Sequence, residues 1–175
     1  MSKNEHSAQW LLAICERDQM NNFNIRKARR EDVLPIIKLL ANDLLGKQRE
    51  SYQEPLPEQY YTAFSDIDND KNNYLIVVED NNKIIGTFQL TIITYLTYQG
   101  GRRGQIEGVR IDEQYRGQGI GKLMIEWGIN KSREMGCHLV QLTMDKKRLE
   151  TIEFYKNLGF VASHEGMKLH LPLVG

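Results

Sequence analysis

Cysteine is scarce in this 175-residue chain: there are two, against four prolines and four histidines. Cys15 and Cys137 can frame no disulfide scaffold and show no ligand spacing. His6, His138, His164 and His170 are scattered, so no metal centre is expected. Neither sign of charge dominates, with 23 Lys and Arg against 23 Asp and Glu. No global field would draw the chain to nucleic acid or to a membrane surface, and neither partner is expected. No apolar run approaches the roughly 18 residues that a membrane span needs. The chain does not open on a basic leader followed by an apolar core. These absences together lead to the expectation of a cytoplasmic protein.

What is present is the composition of a globular protein, 41% hydrophobic and 26% charged. The length suits one domain with a substantial core. Charge is unevenly placed: Asp66, Asp68, Asp70, Glu79 and Asp80 lie in one region, and Arg102, Arg103, Arg110 and Arg116 in another. For Arg102 and Arg103 singly, a solvated surface is the better reading.

The most informative stretch is 105–126. An extended apolar run ends in a polar turn, and Arg116-Gly117-Gln118-Gly119-Ile120-Gly121-Lys122 follows, running directly into helix-period residues. Three glycines at alternate positions let the backbone turn tightly and approach a ligand. The next helix would aim its free N–H groups and positive dipole end back at the loop. Strand, loop and helix start make a pyrophosphate cradle. A Walker loop is excluded, because Arg116 stands where its first glycine belongs and Leu123 where its Ser or Thr belongs. The dinucleotide fingerprint fails at Lys122, where it requires glycine.

Arg116-x-x-Gly119-x-Gly121, placed after a strand carrying Val109-Arg110-Ile111, resembles the acetyl-coenzyme A loop of the GNAT acetyltransferase family. The resemblance runs over roughly 25–171, and the segment from Glu107 through Phe160 is similar to the aminoalkylphosphonate acetyltransferase branch. It implies cofactor-binding roles for Val109, Arg110, Ile111, Arg116, Gly117, Gln118, Gly119, Ile120, Gly121 and Lys122. Main-chain groups of Val109 and Ile111 would pair with the pantetheine arm, and amides of 116–122 would hold the diphosphate.

The rest of the pattern agrees. Residues 1–22 form an expected amphipathic helix, with Ala8, Leu11, Leu12 and Cys15 on one face, ahead of a domain over 23–175. Residues 23–28 read as a first strand. Val33, Ile36, Ile37, Leu40 and Leu44 mark a helix opened by Glu31 and Asp32 and ended by Gly46. A short helix is expected over 57–64, where Tyr60, Tyr61 and Phe64 read as core. Strands follow over 74–79, 83–95 and 105–111, the first two joined through Asp80-Asn81-Asn82. Ile120, Leu123, Met124 and Trp127 mark a helix face. A fifth strand over 138–144, a helix over 147–158 and a closing hairpin of 160–163 with 167–171 complete the chain. The expected fold is α+β, a mostly antiparallel sheet of about seven strands flanked by helices, similar to the acyl-CoA N-acyltransferase (GNAT) fold.

The family's reaction is attack by an amine on a thioester within a ternary complex. An alkyl amine with a pKa of about 10 arrives mostly protonated, so a base must take a proton and an acid must give one to the departing thiolate. Glu107 is the candidate base. Strand alternation places it on one face with Val109 and Ile111, Arg110 on the other; the competing reading is an ion pair with a neighbouring arginine. Tyr155, in Phe154-Tyr155-Lys156-Asn157-Leu158-Gly159-Phe160, is the candidate acid by resemblance to the family's second motif; the competing reading is core packing. Arg148 and Thr151 depart from the Asn and Ala often found there. The expectation is an acetyl-CoA-dependent N-acetyltransferase acting on a small primary amine. A peptide amine, or a CoA-binding regulatory module without chemistry, is the alternative. The N-terminal helix or an exposed face of the fourth helix would allow a homodimer.

Overall fold

The computed structural model describes residues 23–42, 46–145 and 149–171. The expected helix over 1–22, Leu44 and Arg148 lie outside the described residues. Five strands form one sheet in the order β1 (Asn24–Lys27), β2 (Asn73–Asp80), β3 (Lys83–Thr94), β4 (Arg102–Ile111), β5 (Leu139–Leu142). The first four are antiparallel in sequence, and β5 lies parallel to β4. The β2–β3 connection is a tight hairpin, with Asn81 and Asn82 both at positive φ, the backbone that a primed turn demands.

Helices cover both faces. On one side α3 (Ile120–Glu134) and α4 (Leu149–Asn157) close over Ile76, Val78, Ile85, Phe88, Leu90, Ile92 and Ile106. On the other, α1 (Val33–Ala41) and α2 (Glu58–Asn69) pack on Val77 and Ile84 through Val33, Ile36, Ile37 and Phe64. Tyr60 and Tyr61 border this second cluster, as the core reading of the aromatics requires. Ser132 in α3 is buried, and its hydroxyl donates to the Gly128 carbonyl at 2.7 Å. With that hydroxyl satisfied inside its own helix, α3 can sit tightly on the sheet.

Several boundaries differ from the sequence expectation: α2 runs on to Asn69 where an end near 64 is expected, and β4 begins at Arg102 where 105 is expected. Helix α1 ends at Ala41, and Gly46 opens a short 3₁₀ turn instead of capping the helix. More importantly, the closing hairpin is not formed: residues 160–171 contain no strand, so among the described residues five strands stand where about seven are expected. Val161, Met167, Leu169 and Leu171 are 77–99% exposed. Alternating apolar residues supply a face, but a two-stranded ribbon without a layer to bury that face is marginal.

One buried ion pair fixes the start of the domain. Asp32 is 4% exposed and accepts from Arg26 Nη1 at 2.6 Å, Arg26 Nη2 at 3.0 Å and the Arg29 amide at 2.7 Å. Arg26 also donates to Glu79 on β2 at 2.7 Å. Burial is the strongest single influence on the Asp32 carboxyl and pushes its pKa up. The hydrogen bonds from Arg26 and Arg29 together outweigh it and hold the group below the usual carboxylate value. A depressed pKa contributes stability above the unfolded value, near 3.9, that is lost as pH falls through the folded one. Asp32→Asn should therefore cost about 3 kcal/mol at pH 7 by urea denaturation, and its gap from the wild type should close as pH falls below the normal Asp range.

Candidate functional site

The site begins where β4 leaves β5. The two strands pair only from Arg103↔Leu139 to Ile106↔Leu142. Beyond Ile106 the β4 side facing β5 has no strand partner among the described residues. Gly108 lies at φ +63°, a conformation that costs an L-residue with a side chain roughly 1–2 kcal/mol. Here it makes a bulge: Glu107 pairs with Gln89 but Arg110 with Thr87, so two β4 residues oppose Phe88 alone.

The bulge corrects the expected alternation. Cross-strand partners share a face, so Glu107 with Gln89 and Arg110 with Thr87 lie together on the α1–α2 side. Ile106, Val109 and Ile111 lie on the other side, against the main core. The extra residue at the bulge shifts the period by one, which simple alternation cannot register. Glu107 is exposed and makes no ion pair among the described residues, so the competing ion-pair reading finds no partner there.

The main chain keeps the expected direction. The Asp112 amide donates to Ile85 O at 2.8 Å, so Ile111 and Val109, at alternate positions before it, turn their amides and carbonyls away from β3. They face the gap toward β5. The Arg110 guanidinium folds back to donate to the Val109 carbonyl at 2.7 Å.

The glycine loop follows. Arg116 is exposed, and Gln118 Nε2 donates to the Gln114 carbonyl at 3.0 Å. Gly119 is the N-cap of α3 at φ +81° and carries no side-chain cap. The first amides of α3 thus keep their donors for something outside the helix. Ile120 is buried and anchors this turn in the core. Lys122 is exposed and lies 3.8 Å from Glu126. A Cβ at Gly121 would meet both Ile111 and Phe154 at 3.3 Å. The end of β4, the loop and α4 therefore converge at one point.

Tyr155, next to Phe154, is 9% exposed and sits edge-on to Phe154 and Phe160 at 5.1 and 5.7 Å. Glu107 and Tyr155 consequently stand on opposite sides of β4, one on the α1–α2 face and one in the α3–α4 core.

Sequence reasoning missed the clasp that holds this loop. Lys83 reaches Asp112 at 2.8 Å, the Tyr115 hydroxyl donates to Asp80 at 3.2 Å, and Lys83 lies 5.0 Å over the Tyr115 ring. Asp112 also accepts from the Gln114 amide at 3.1 Å. The Lys83 contact leads in holding the Asp112 carboxyl below its ordinary pKa, and the same contact raises that of Lys83. Asp112, two residues before the amide that donates to it, is the local signal of this turn. Arg103 is half-buried rather than a free surface charge: it lies 4.9 Å over Tyr95 and donates to Gln141 at 3.4 Å. A separate cavity of about 540 Å³ opens at the other end of β4, lined by Tyr98, Gly101, Arg102, Met135 and His138. Among the described residues no cluster of His, Cys, Asp and Glu could hold a metal, and no helix is long and apolar enough to cross a membrane.

This arrangement of splayed strands, glycine loop and uncapped helix defines a class, and residues 41–160 match the Acetyltransferase (GNAT) family. The chain belongs to that family, for which acetyl-CoA is the acyl donor. It is 38% identical over 93 residues to a glucosamine 6-phosphate N-acetyltransferase of Trypanosoma brucei brucei, covering 53% of this chain and 61% of that protein. The corresponding share of a similarly named Drosophila melanogaster relative is 47%, so the chain spans about half to three-fifths of these two relatives. An aminoalkylphosphonate N-acetyltransferase of Salmonella typhimurium is 27% identical over 143 residues, 78% of this chain and 92% of that one. A crystal structure of a Bacillus halodurans protein described as a transcriptional regulator superposes with a TM-score of 0.83 at 49% identity, covering 85% of this chain and 99% of that one.

Since a Cβ at position 108 would meet nothing within 4 Å, Gly108→Val should cost the backbone term alone. A loss of about 1–2 kcal/mol in urea denaturation is expected.

Proposed function

We propose that the protein transfers the acetyl group of acetyl-CoA to a primary amine of a small molecule by direct attack in a ternary complex. The observation that carries this reading is the coincidence, at one end of β4, of an open strand edge and an uncapped helix start. Main-chain donors at 116–122 suit a diphosphate. The outward groups of Val109 and Ile111 suit an amide-bearing arm that adds itself like a strand. Bound there, acetyl-CoA supplies the thioester carbonyl as electrophile.

Glu107, exposed on the α1–α2 face, takes a proton from the acceptor ammonium, directly or through water, and frees its lone pair. Tyr155, in the opposite core, gives its phenolic proton to the departing thiolate; a phenol pKa near 10 leaves that proton available. A β4 amide facing the gap can stabilise the oxyanion. Base and acid thus act from opposite sides of the strand along which the thioester lies. The small-molecule acceptor is supported by the names of the Trypanosoma and Salmonella relatives, both of which denote small amines. The even charge balance supports a cytoplasmic enzyme with no nucleic-acid or membrane partner. A second reading, a CoA-binding regulatory module, is favoured by the description of the Bacillus halodurans protein.

Thiol release from acetyl-CoA over a panel of amines separates the two readings. Turnover on a small amine is expected, whereas CoA binding with no turnover on any amine would establish the module. Gly119→Val should weaken CoA binding about tenfold or more by calorimetry, since ~1–2 kcal/mol of backbone strain falls on the loop itself. Glu107→Gln and Tyr155→Phe should each lower kcat by about 10²-fold with CoA affinity unchanged. Unaltered rates across pH would remove both residues from catalysis.

A further inference from the structure

The turn between β3 and β4 holds a backbone that its residues resist. Tyr98, Gln99 and Gly100 stand in succession at φ +53°, +59° and +80°. L-residues with side chains visit this left-handed region as isolated exceptions, mostly Asn or Asp. The β2–β3 hairpin of the same sheet follows that rule, with Asn81 and Asn82 at its positive-φ positions. Main-chain bonds close the β3–β4 turn whatever its side chains are: the Gly100 amide donates to Leu96 O and the Gly101 amide to Thr97 O, both at 3.1 Å. Burial does not compensate, since Tyr98 is 72% exposed. A tyrosine held on unfavourable backbone at the surface is there for its ring.

That ring belongs to a built wall. The Tyr98 and His138 centroids lie 4.9 Å apart with the planes tilted by 31°, and Tyr95 stands edge-on to Tyr98 at 6.0 Å. His138 is fixed on two sides: its Nε2 lies 2.9 Å from the Tyr95 hydroxyl, and a Cβ at Gly101 would come within 2.8 Å of its ring. Both Tyr98 and His138 line the cavity of about 540 Å³ at this end of β4, a volume in the range of small-ligand sites. Arg102 supplies its charge. Among the described residues that guanidinium engages only the Met135 carbonyl, through Nη1 at 3.3 Å, which leaves its other N–H groups as donors. No described Asp or Glu lines the cavity. Arg102 lies roughly 20 Å from Val109 along the strand, so this cavity is separate from the acetyl-transfer gap.

We infer that this cavity is a second binding site, and that it takes a small planar aromatic carboxylate. Its walls favour a flat π system over an aliphatic one: the Tyr98 and His138 rings by stacking, and the Met135 thioether by its contact with aromatic edges. The permanent charge on the lining, Arg102, selects an anion, and its planar fork matches a carboxylate. A cationic ligand would meet that guanidinium with no lining carboxylate to offset it. The turn lies outside the strand pairing, so its length and residues can change without disturbing β4. The site is a property of this chain's turn and not of the fold, and it does not depend on the acetyltransferase reading.

The test is calorimetry with 2-naphthoate on the full chain, with CoA present in excess to fill the transfer gap. One molecule should bind, with a Kd of about 0.1–1 mM. 2-Naphthamide, which lacks the charge, and decalin-2-carboxylate, which lacks the flat ring, should each bind about tenfold more weakly. Arg102→Gln should weaken naphthoate binding about tenfold. Tyr98→Asn should do the same and yet raise the midpoint of urea unfolding, because Asn accepts left-handed backbone. CoA affinity and acetyl transfer should be unchanged in both variants. No binding of naphthoate at millimolar concentration, equal affinity for the decalin acid, or an affinity indifferent to both substitutions would overturn the inference. A lowered urea midpoint in Tyr98→Asn would overturn it too, by showing that the ring serves the fold.

Discussion

The parting of β4 from β5 is the constraint on which the rest of this molecule depends. A sheet closes its hydrogen bonds pairwise, and here the closure stops at Ile106 and Leu142. Gly108, at positive φ, lets β4 kink while it keeps its bonds to β3. The strand therefore stays rigid on one edge and offers main-chain groups on the other. Everything proposed for the site uses that one-sided edge: the outward amides of Val109 and Ile111, and the two candidate proton-transfer groups on opposite faces.

Rigidity beside an open edge has to come from somewhere, and the Lys83–Asp112 and Tyr115–Asp80 contacts supply it. Both link the turn after β4 to the β2–β3 hairpin. Lys83 is half-exposed, so the Coulombic term is small in water. Its value is positional, because it sets where the loop departs and hence where the amides of α3 point. The apolar anchor is Ile120, buried in the first turn of that helix. A polar clasp in front and an apolar anchor behind hold the glycines in register without filling the space before them.

Much of this was legible in the sequence, and the exceptions share a cause. The glycine loop, the five strands of the sheet and the α3 face follow from local chemistry: positive-φ requirements at Gly119, period-two runs, and the spacing of Ile120 and Met124. The face of Glu107 was not legible, because a bulge depends on what the neighbouring strand does at Phe88. The clasp was hidden for the same reason, since Lys83 and Asp112 meet only after β3 and β4 pair. At 160–171 the alternation is present, but among the described residues no layer covers it and the expected hairpin does not form. Pattern shows which residues could share a face; only tertiary contact decides whether that face exists.

The two sides of β4 are chemically opposite, with Ile106 under α3 and Gln105 and Glu107 on the other side. Removing a single residue from 102–107 would drive carboxamide and carboxylate into the oily interior and push isoleucine into water. Insertions and deletions during divergence must therefore fall elsewhere. The tolerant place is the turn before β4, where Tyr98 and Gln99 already take up left-handed backbone at the surface. Length variation among descendants of this chain should collect there, while the strand itself keeps its count.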